Sequence, residues 1–430
     1  MKNRRSHISS PGVWCILALA LSIITGCNYL SIPATDDVLA RPYTRKENAN
    51  APVFNSAVIK GMVLSADRVN AATLIAAYRL GNGNAELTGY SVVSIGGPFM
   101  IYVPEGRYHL YALTDYDADG IFERHEISGV CGTSASPLEL HVREGQLITG
   151  ISIRTAKANG KALKLPASGP IPEGQNFVKQ VTHNGQILKI YSDVYSPENA
   201  QTGYWHPSSF MKAFGAHIYF GEEYHPKKIP VLFVHGTEGS PHHWIYLWMR
   251  MDRTRYQPLF FYYPSGIRLS LAAALLDEEL HELHQKFGFQ KMVIIAHSVG
   301  GLTTRAFLCR YVSESRHSFV KLFISLATPW SGFEMADASQ RLPHKSIPAW
   351  VDLGTKSGFI QDTMNEKLPP HTHHYILYGK NDKLSGDKAI DERAVSCAVK
   401  AFGFDCTHDS ILSDRKVFAR INAIVEKELR

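Results

Sequence analysis

The sequence predicts an α/β class: a mostly parallel sheet with helices on both faces, preceded by a small all-β sandwich. Three observations carry this. From about residue 177 onward, apolar strand-like runs alternate with helical stretches, the pattern of a parallel sheet with covering helices. Between 53 and 155 the runs are shorter, β-rich and punctuated by Gly, Pro and Asn, as in antiparallel sandwiches. Finally, Val293-Ile294-Ile295-Ala296 runs through His297 straight into Ser298, Val299, Gly300 and Gly301. A continuous apolar run that ends at turn residues suits a strand buried on both faces.

The chain has 430 residues, of which 45% are hydrophobic and 20% charged, a globular composition long enough for two or three domains. Net charge is +6 and no long basic run follows the first five residues, so nucleic acid is not an expected partner.

The chain opens as a targeting segment, expected to span 1–26. Lys2, Arg4 and Arg5 precede an apolar stretch, Val13 to Ile24, that is short for a bilayer span. Ile24-Thr25-Gly26-Cys27 resembles a bacterial lipobox. The resemblance implies cleavage before Cys27 and lipid attachment to it. Asn28, rather than Asp, follows the cysteine, so the expected address is the cell envelope, on the outer membrane. Residues 27–52, proline-containing and polar, read as a tether. That compartment is oxidising. Cys397 and Cys406 lie close in sequence and are candidates for a disulfide, whereas Cys309 reads as a buried thiol.

The module at 53–155 contains β-type runs at Ala57–Leu64, Thr73–Tyr78, Phe99–Val103, Tyr108–Leu113 and Ile148–Ile153. Phe99 to Tyr111, with its Val103-Pro104-Glu105-Gly106 turn, resembles sandwich modules of the carboxypeptidase regulatory type. Within the module lies Asp115-Tyr116-Asp117-Ala118-Asp119-Gly120, with Glu126 six residues after the glycine. Oxygens at positions one, three and five, a glycine for the turn and a late carboxylate match a calcium loop. The preceding segment reads as strand and no good helix follows Glu126, which makes it a calcium-loop-like hairpin rather than a helix–loop–helix. A structural Ca²⁺ and an acidic solvated turn are both open readings.

Residues 156–176, rich in Pro, Gly and Lys, read as a linker to a catalytic domain at 177–430. Strands are expected at Ile229–Gly236, Leu259–Tyr263, Val293–Ala296, Lys321–Leu326 and His374–Tyr378. Helices are expected at Ser270–Phe287, Leu302–Tyr311 and Val417–Leu429. His371, His373 and His374 cluster without a supporting cysteine or carboxylate, and read as a solvated loop. Residues 332–370 lack a long period; a cap over a site and a packed helical excursion both fit.

A serine on a tight strand-to-helix turn needs small neighbours two residues away on either side, here Ala296 and Gly300. A nucleophilic serine also needs a base, an orienting acid and oxyanion donors. Val234-His235-Gly236-Thr237 ends a strand in a glycine turn, which makes the backbone N–H of Thr237 one expected donor and that of Val299 the other. His408, on a loop before the last helix, is the candidate base. Asp382 and Asp387 both follow the strand that ends at Tyr378.

These pieces, with Ala327-Thr328-Pro329-Trp330-Ser331-Gly332, resemble the lipase and esterase branch of the α/β-hydrolase superfamily over residues 177–430. Ala296 and Lys388 stand where that branch commonly has glycine. The resemblance implies an α/β-hydrolase fold and a Ser298–His408–Asp387 triad, with Asp382 as the alternative acid. Asp387 is preferred because it opens Asp387-Lys388-Ala389-Ile390, twenty-one residues before His408. The expected activity is hydrolysis of carboxylic esters, lipids among them, with no cofactor for the chemistry. The competing function is a non-catalytic surface lipoprotein that binds a partner or glycan on a degenerate hydrolase platform.

Overall fold

The computed structural model describes residues 56–65, 71–81, 85–94, 96–157, 177, 182–312, 316–339, 347–384 and 390–429. The targeting segment, the tether with Cys27, nearly all of the linker and Asp387 lie outside the described residues.

Eight strands form the first region: β1 (Ser56–Ser65), β2 (Ala72–Leu80), β3 (Ala85–Ser94), β4 (Gly97–Pro104), β5 (Gly106–Thr114), β6 (Ile127–Val130), β7 (Leu140–Val142) and β8 (Leu147–Thr155). One sheet runs β4-β1-β8, the other β3-β2-β5-β6, with β7 on β5. Alternate side chains point to opposite faces of a strand. Ala57 and Ile59 of β1 and Phe99, Ile101 and Val103 of β4 therefore meet Ile75 and Ala77 of β2 and Leu110 and Ala112 of β5 in one core. The intervening Val58, Met100 and Tyr102 join a different core, shared with the α/β region. The first sheet is thus buried on both sides, which explains why its strands read as apolar runs rather than alternating ones.

Helices α1 (Pro197–Trp205) and α2 (Pro207–Phe214) lead into the second region. Each starts with proline at its first position, where a missing N–H costs nothing. There follow β9 (His217–Phe220), β10 (Ile229–Val234), α3 (Ile245–Arg250), β11 (Tyr256–Tyr262), α4 (Leu269–Phe287), β12 (Met292–His297), α5 (Val299–Tyr311) and β13 (Val320–Leu326). The chain closes with α6 (Glu334–Ser339), α7 (Pro348–Leu353), α8 (Gly358–Asn365), β14 (His373–Gly379), α9 (Glu392–Ser396), β15 (Lys400–Phe404) and α10 (Arg415–Glu428).

The seven-stranded sheet has the order β15-β14-β13-β12-β10-β11-β9. Neighbours run parallel except β11 and β9, which are antiparallel. Leu232, Val234, Ile294 and Ala296 face α4 and α5, while Val231, Phe233, Val293 and Ile295 face α10 and Trp244. From β10 the chain steps one way to β11, then crosses back to β12 on the other side. Between β10 and β12 the connections diverge, which makes the carboxyl ends of these two strands a topological switch point, the place where open α/β sheets bind ligands. Ser298 follows β12 and Gly236 follows β10.

The excursion at 332–370 contributes Ile347, Ala349, Leu353, Phe359, Ile360 and Met364 to the main core. Its described residues pack as helices on the domain. The buried Arg305 of α5 ties this excursion down, donating to the carbonyls of Thr363 (2.9 Å) and Glu366 (3.1 Å).

Two sequence expectations fail. Cys397 and Cys406 are both free thiols. Cys397 caps α9 in solvent, Cys406 is buried, and β15 stretches between them. Five extended residues span about 17 Å, far more than the roughly 6 Å between the α-carbons of a disulfide. His374 is not in a solvated loop: it is 1% exposed, stacks on Phe323 at 4.4 Å and shares a 3.0 Å hydrogen bond with Ser325. Burial holds its pKa well below the usual histidine value.

Candidate active site

The turn after β12 forces Ser298 to φ +54° and ψ −130°, a region that non-glycine residues rarely enter. The following glycines are required by space. A Cβ on Gly300 would lie 2.4 Å from the His235 carbonyl, and one on Gly301 would lie 1.9 Å from Thr328 Oγ1. Ala296 fits two residues before the serine because its methyl enters the core. Ser298 N–H donates to the Leu326 carbonyl (2.9 Å), which locks the turn to β13.

Ser298 Oγ lies 2.9 Å from His408 Nε2, and His408 Nδ1 lies 2.8 Å from Asp382 Oδ2. A carboxylate only accepts, so Nδ1 carries the proton and Nε2 is left to accept the Ser298 hydroxyl. Asp382 Oδ1 accepts from Leu384 N–H (2.8 Å), and the Asp382 side chain is fully buried. The carboxylate that meets His408 is therefore Asp382, the alternative acid, while the preferred Asp387 lies outside the described residues. The reason is β15. It pairs with β14 in parallel, so the loop that leaves its end lies over the end of β14. Lys380 N–H donates to the Phe404 carbonyl (2.8 Å) and Asn381 N–H to the Cys406 carbonyl (3.1 Å). Asp382 is next in line. The short, glycine-interrupted Lys400-Ala401-Phe402-Gly403-Phe404 carried no strong strand signal, and without that strand the two loops could not be matched.

His297 is a residue that sequence reasoning did not single out. Its Nε2–H donates to the His408 carbonyl (2.9 Å), and it is 5% exposed. Burial, and next to it the neighbouring His408, holds its pKa well below the usual value. It ties the loop that carries His408 to the strand that carries the serine. Its position directly before the serine was the available signal. His297, His408 and Asp409 can bring donor atoms within 4.8 Å of one another, as metal ligands do. Both ring nitrogens of His408, however, are committed to Ser298 and Asp382.

On the β10 side, Gly236 approaches so closely that a Cβ on it would stand 2.7 Å from the Ser298 Cβ. His235 Nδ1–H donates to the Gly236 carbonyl (2.8 Å), and its ring stacks on Tyr263 at 4.5 Å. Burial pushes its pKa down to about 3, so the ring stays neutral and its Nε2 accepts the Tyr263 N–H (3.4 Å). In the same turn Glu238 N–H donates to Ser265 Oγ (3.0 Å) and Gly239 N–H to the Gly236 carbonyl (3.1 Å). The Thr237 amide lies between these committed groups. Val299 heads α5, where the first N–H groups have no helical partner and carry partial positive charge. Trp205 Nε1–H donates to Glu238 Oε1 (2.8 Å), which sets an indole 39% exposed beside this turn.

Residues 268–402 match a family model described as alpha/beta hydrolase of unknown function (DUF915). The matched segment contains Ser298 and Asp382 and stops before His408. The sheet order, the elbow and this match together make the second region an α/β-hydrolase fold. No curated protein matches the chain. Among solved structures, a Bacillus licheniformis lipase, BlEst2 in mature form, is 21% identical over 48% of this chain and 97% of its own, with a TM-score of 0.40. The lin2722 gene product of Listeria innocua is 13% identical over 46% and 94%, with a TM-score of 0.38. A Paleococcus ferrophilus monoacylglycerol lipase is 15% identical over 49% and 97%, with a TM-score of 0.36.

Proposed function

We propose that the chain is a serine hydrolase of carboxylic esters, working through an acyl-enzyme. The observation that carries this is the hydrogen-bonded relay Ser298–His408–Asp382 at the topological switch point of the sheet. Ser298 Oγ attacks the ester carbonyl while His408 Nε2 takes its proton. Asp382 orients the ring and stabilises the imidazolium. The developing oxyanion is received by the amides of Thr237 and Val299, and removing one such donor typically raises the barrier by about 3 kcal/mol. The imidazolium returns its proton to the leaving alcohol. Water, activated by the same ring, then releases the acid. An exposed indole beside the oxyanion turn favours substrates with an apolar acyl group.

A fluorophosphonate probe tests this reading, because it labels only an activated serine. Wild type is expected to label and Ser298→Ala is not. Absent labelling of a folded wild-type chain would favour the non-catalytic alternative. We also propose that Cys27 carries lipid at the outer membrane. Cys27→Ala should then move the chain to the soluble fraction or leave it unprocessed, and unchanged membrane attachment would contradict the assignment.

A further inference from the structure

The β5–β6 connection contains four carboxylates that the proposed hydrolysis does not use. Asp115 leaves β5 and Glu126 precedes β6, with Asp117 and Asp119 between them. Positive φ at Ala118 (62°) and Gly120 (80°) curls the segment. Asp115, Asp117 and Asp119 can each bring an oxygen within 4.8 Å of the others, and Asp117, Glu126 and His125 form a second such group.

Two observations separate this from a solvated acidic turn. Asp115 is only 7% exposed, and its Oδ1 is shielded from solvent without a hydrogen-bond partner. Among the described residues, its Oδ2 accepts only the Gly120 N–H (3.1 Å). A buried carboxylate oxygen among like charges, without a donor, is costly unless a cation joins it. Second, Glu126 is 3% exposed, and its two oxygens accept Tyr116 N–H (2.8 Å) and Glu123 N–H (3.1 Å). Among the described residues, no lysine or arginine forms an ion pair with any of the four.

We propose that Asp115, Asp117, Asp119 and Glu126 bind one Ca²⁺ ion, which fastens β5 to β6. The ligand class follows from the donors. All four are hard oxygens, and the spacing places them at positions one, three, five and twelve around a glycine at six. Calcium accepts such a flexible ring of six to eight oxygens. Magnesium demands a tighter octahedron and gives up water reluctantly. Binding would also fix Phe122, which lies in the loop and packs edge-on against Phe177 at 5.6 Å. Phe177 in turn meets Tyr90 of β3 at 4.9 Å. The ion would therefore hold the β5–β6 loop against the point where the chain rejoins the module.

The test uses the full chain, stripped with a chelator, and titrates Ca²⁺, Mg²⁺ and Zn²⁺ separately by calorimetry and thermal unfolding. One Ca²⁺ per chain is expected, with a Kd of about 1 mM or tighter, as for extracellular modules. A rise in Tm of several degrees should accompany Ca²⁺ and be far smaller with Mg²⁺. Asp117→Asn with Asp119→Asn changes two exposed positions, so the chelator-treated variant should melt like wild type and give no calcium heat. Three results would overturn the site: no heat up to about 10 mM Ca²⁺, undiminished binding by that variant, or a preference for Zn²⁺ through His125. None of these readouts depends on esterase activity.

Discussion

At the scale of single residues, Asp382 and Asp387 differ by five positions, and Asp382 is the one whose carboxylate meets His408 Nδ1, at 2.8 Å. An acid that orients a histidine fixes its tautomer and stabilises its cation; converting it to an amide can cost about 10⁴ in turnover. Asp382→Asn is accordingly expected to lose activity by orders of magnitude. Asp387→Asn should change it by less than about tenfold, or roughly 1.4 kcal/mol of barrier. Steady-state rates on a p-nitrophenyl ester decide it, and the reverse ranking would return the role to Asp387. Ser298 and His408 were legible in the sequence because local patterns announce them: an apolar strand that ends in a serine and glycines, and a histidine before the final helix. Asp382 had no local pattern of its own. It is chosen by where a neighbouring strand delivers His408, and that is a tertiary fact. His297 was hidden for a related reason, since its partner is a backbone carbonyl 111 residues away.

At the scale of elements, the strand–turn–helix from β12 to α5 works because its glycines admit β10 and Thr328 at distances no side chain permits. Thr328 Oγ1 is itself buried without a hydrogen-bond partner, so its hydroxyl adds little to stability. Gly301→Ala should therefore destabilise by about 1–3 kcal/mol through overpacking. Thr328→Ala alone should be nearly neutral, and the double variant should recover part of the loss, since the residue 328 Cβ still stands 2.9 Å from the added methyl. Urea unfolding of the four proteins forms the cycle, and purely additive effects would show that the clash lies elsewhere. The main strands were readable because burial on both faces leaves continuous apolar runs. β9, β15 and the short helices α6 to α8 were not. Each is four to eight residues long, and what holds them is packing against α4 and α5 or the edge of the sheet rather than propensity. The proposed disulfide failed for the same kind of reason, because nearness in sequence becomes distance once an extended strand intervenes.

At the scale of the whole molecule, the two regions meet through a charged cluster within an apolar contact. Lys60 of β1 reaches Glu279 of α4 (2.7 Å), and Glu279 also accepts from His217 of β9 (2.8 Å). Lys60 further pairs with Glu282 (2.6 Å), and Arg268 bridges Glu144 of the first region and Asp352 of the second. Glu279 has no exposure at all. Burial pushes the Glu279 carboxyl up, but the Lys60 and His217 charges overcome it and hold the pKa below its ordinary value. Burial likewise lowers Lys60, and the Glu279 and Glu282 carboxylates more than reverse it. The signs then follow. The Glu279 contribution is present above its unfolded pKa of about 4.3 and is lost as pH falls through the depressed folded value. The Lys60 contribution is present below about pH 10.4 and is lost only at still higher pH, through the raised folded value. At neutral pH both are in force. Lys60→Met keeps the length and apolar stem but leaves Glu279 buried with His217 as its remaining partner. Breaking a buried pair from one side typically costs about 3–5 kcal/mol, and the variant should lose stability on that scale at pH 7. The cost should shrink as the pH is lowered toward 4, because protonating Glu279 removes the uncompensated charge. Guanidinium unfolding of both proteins at several pH values measures the gap. A gap that stays constant with pH would mean that Lys60 acts through packing of its stem and not through Glu279.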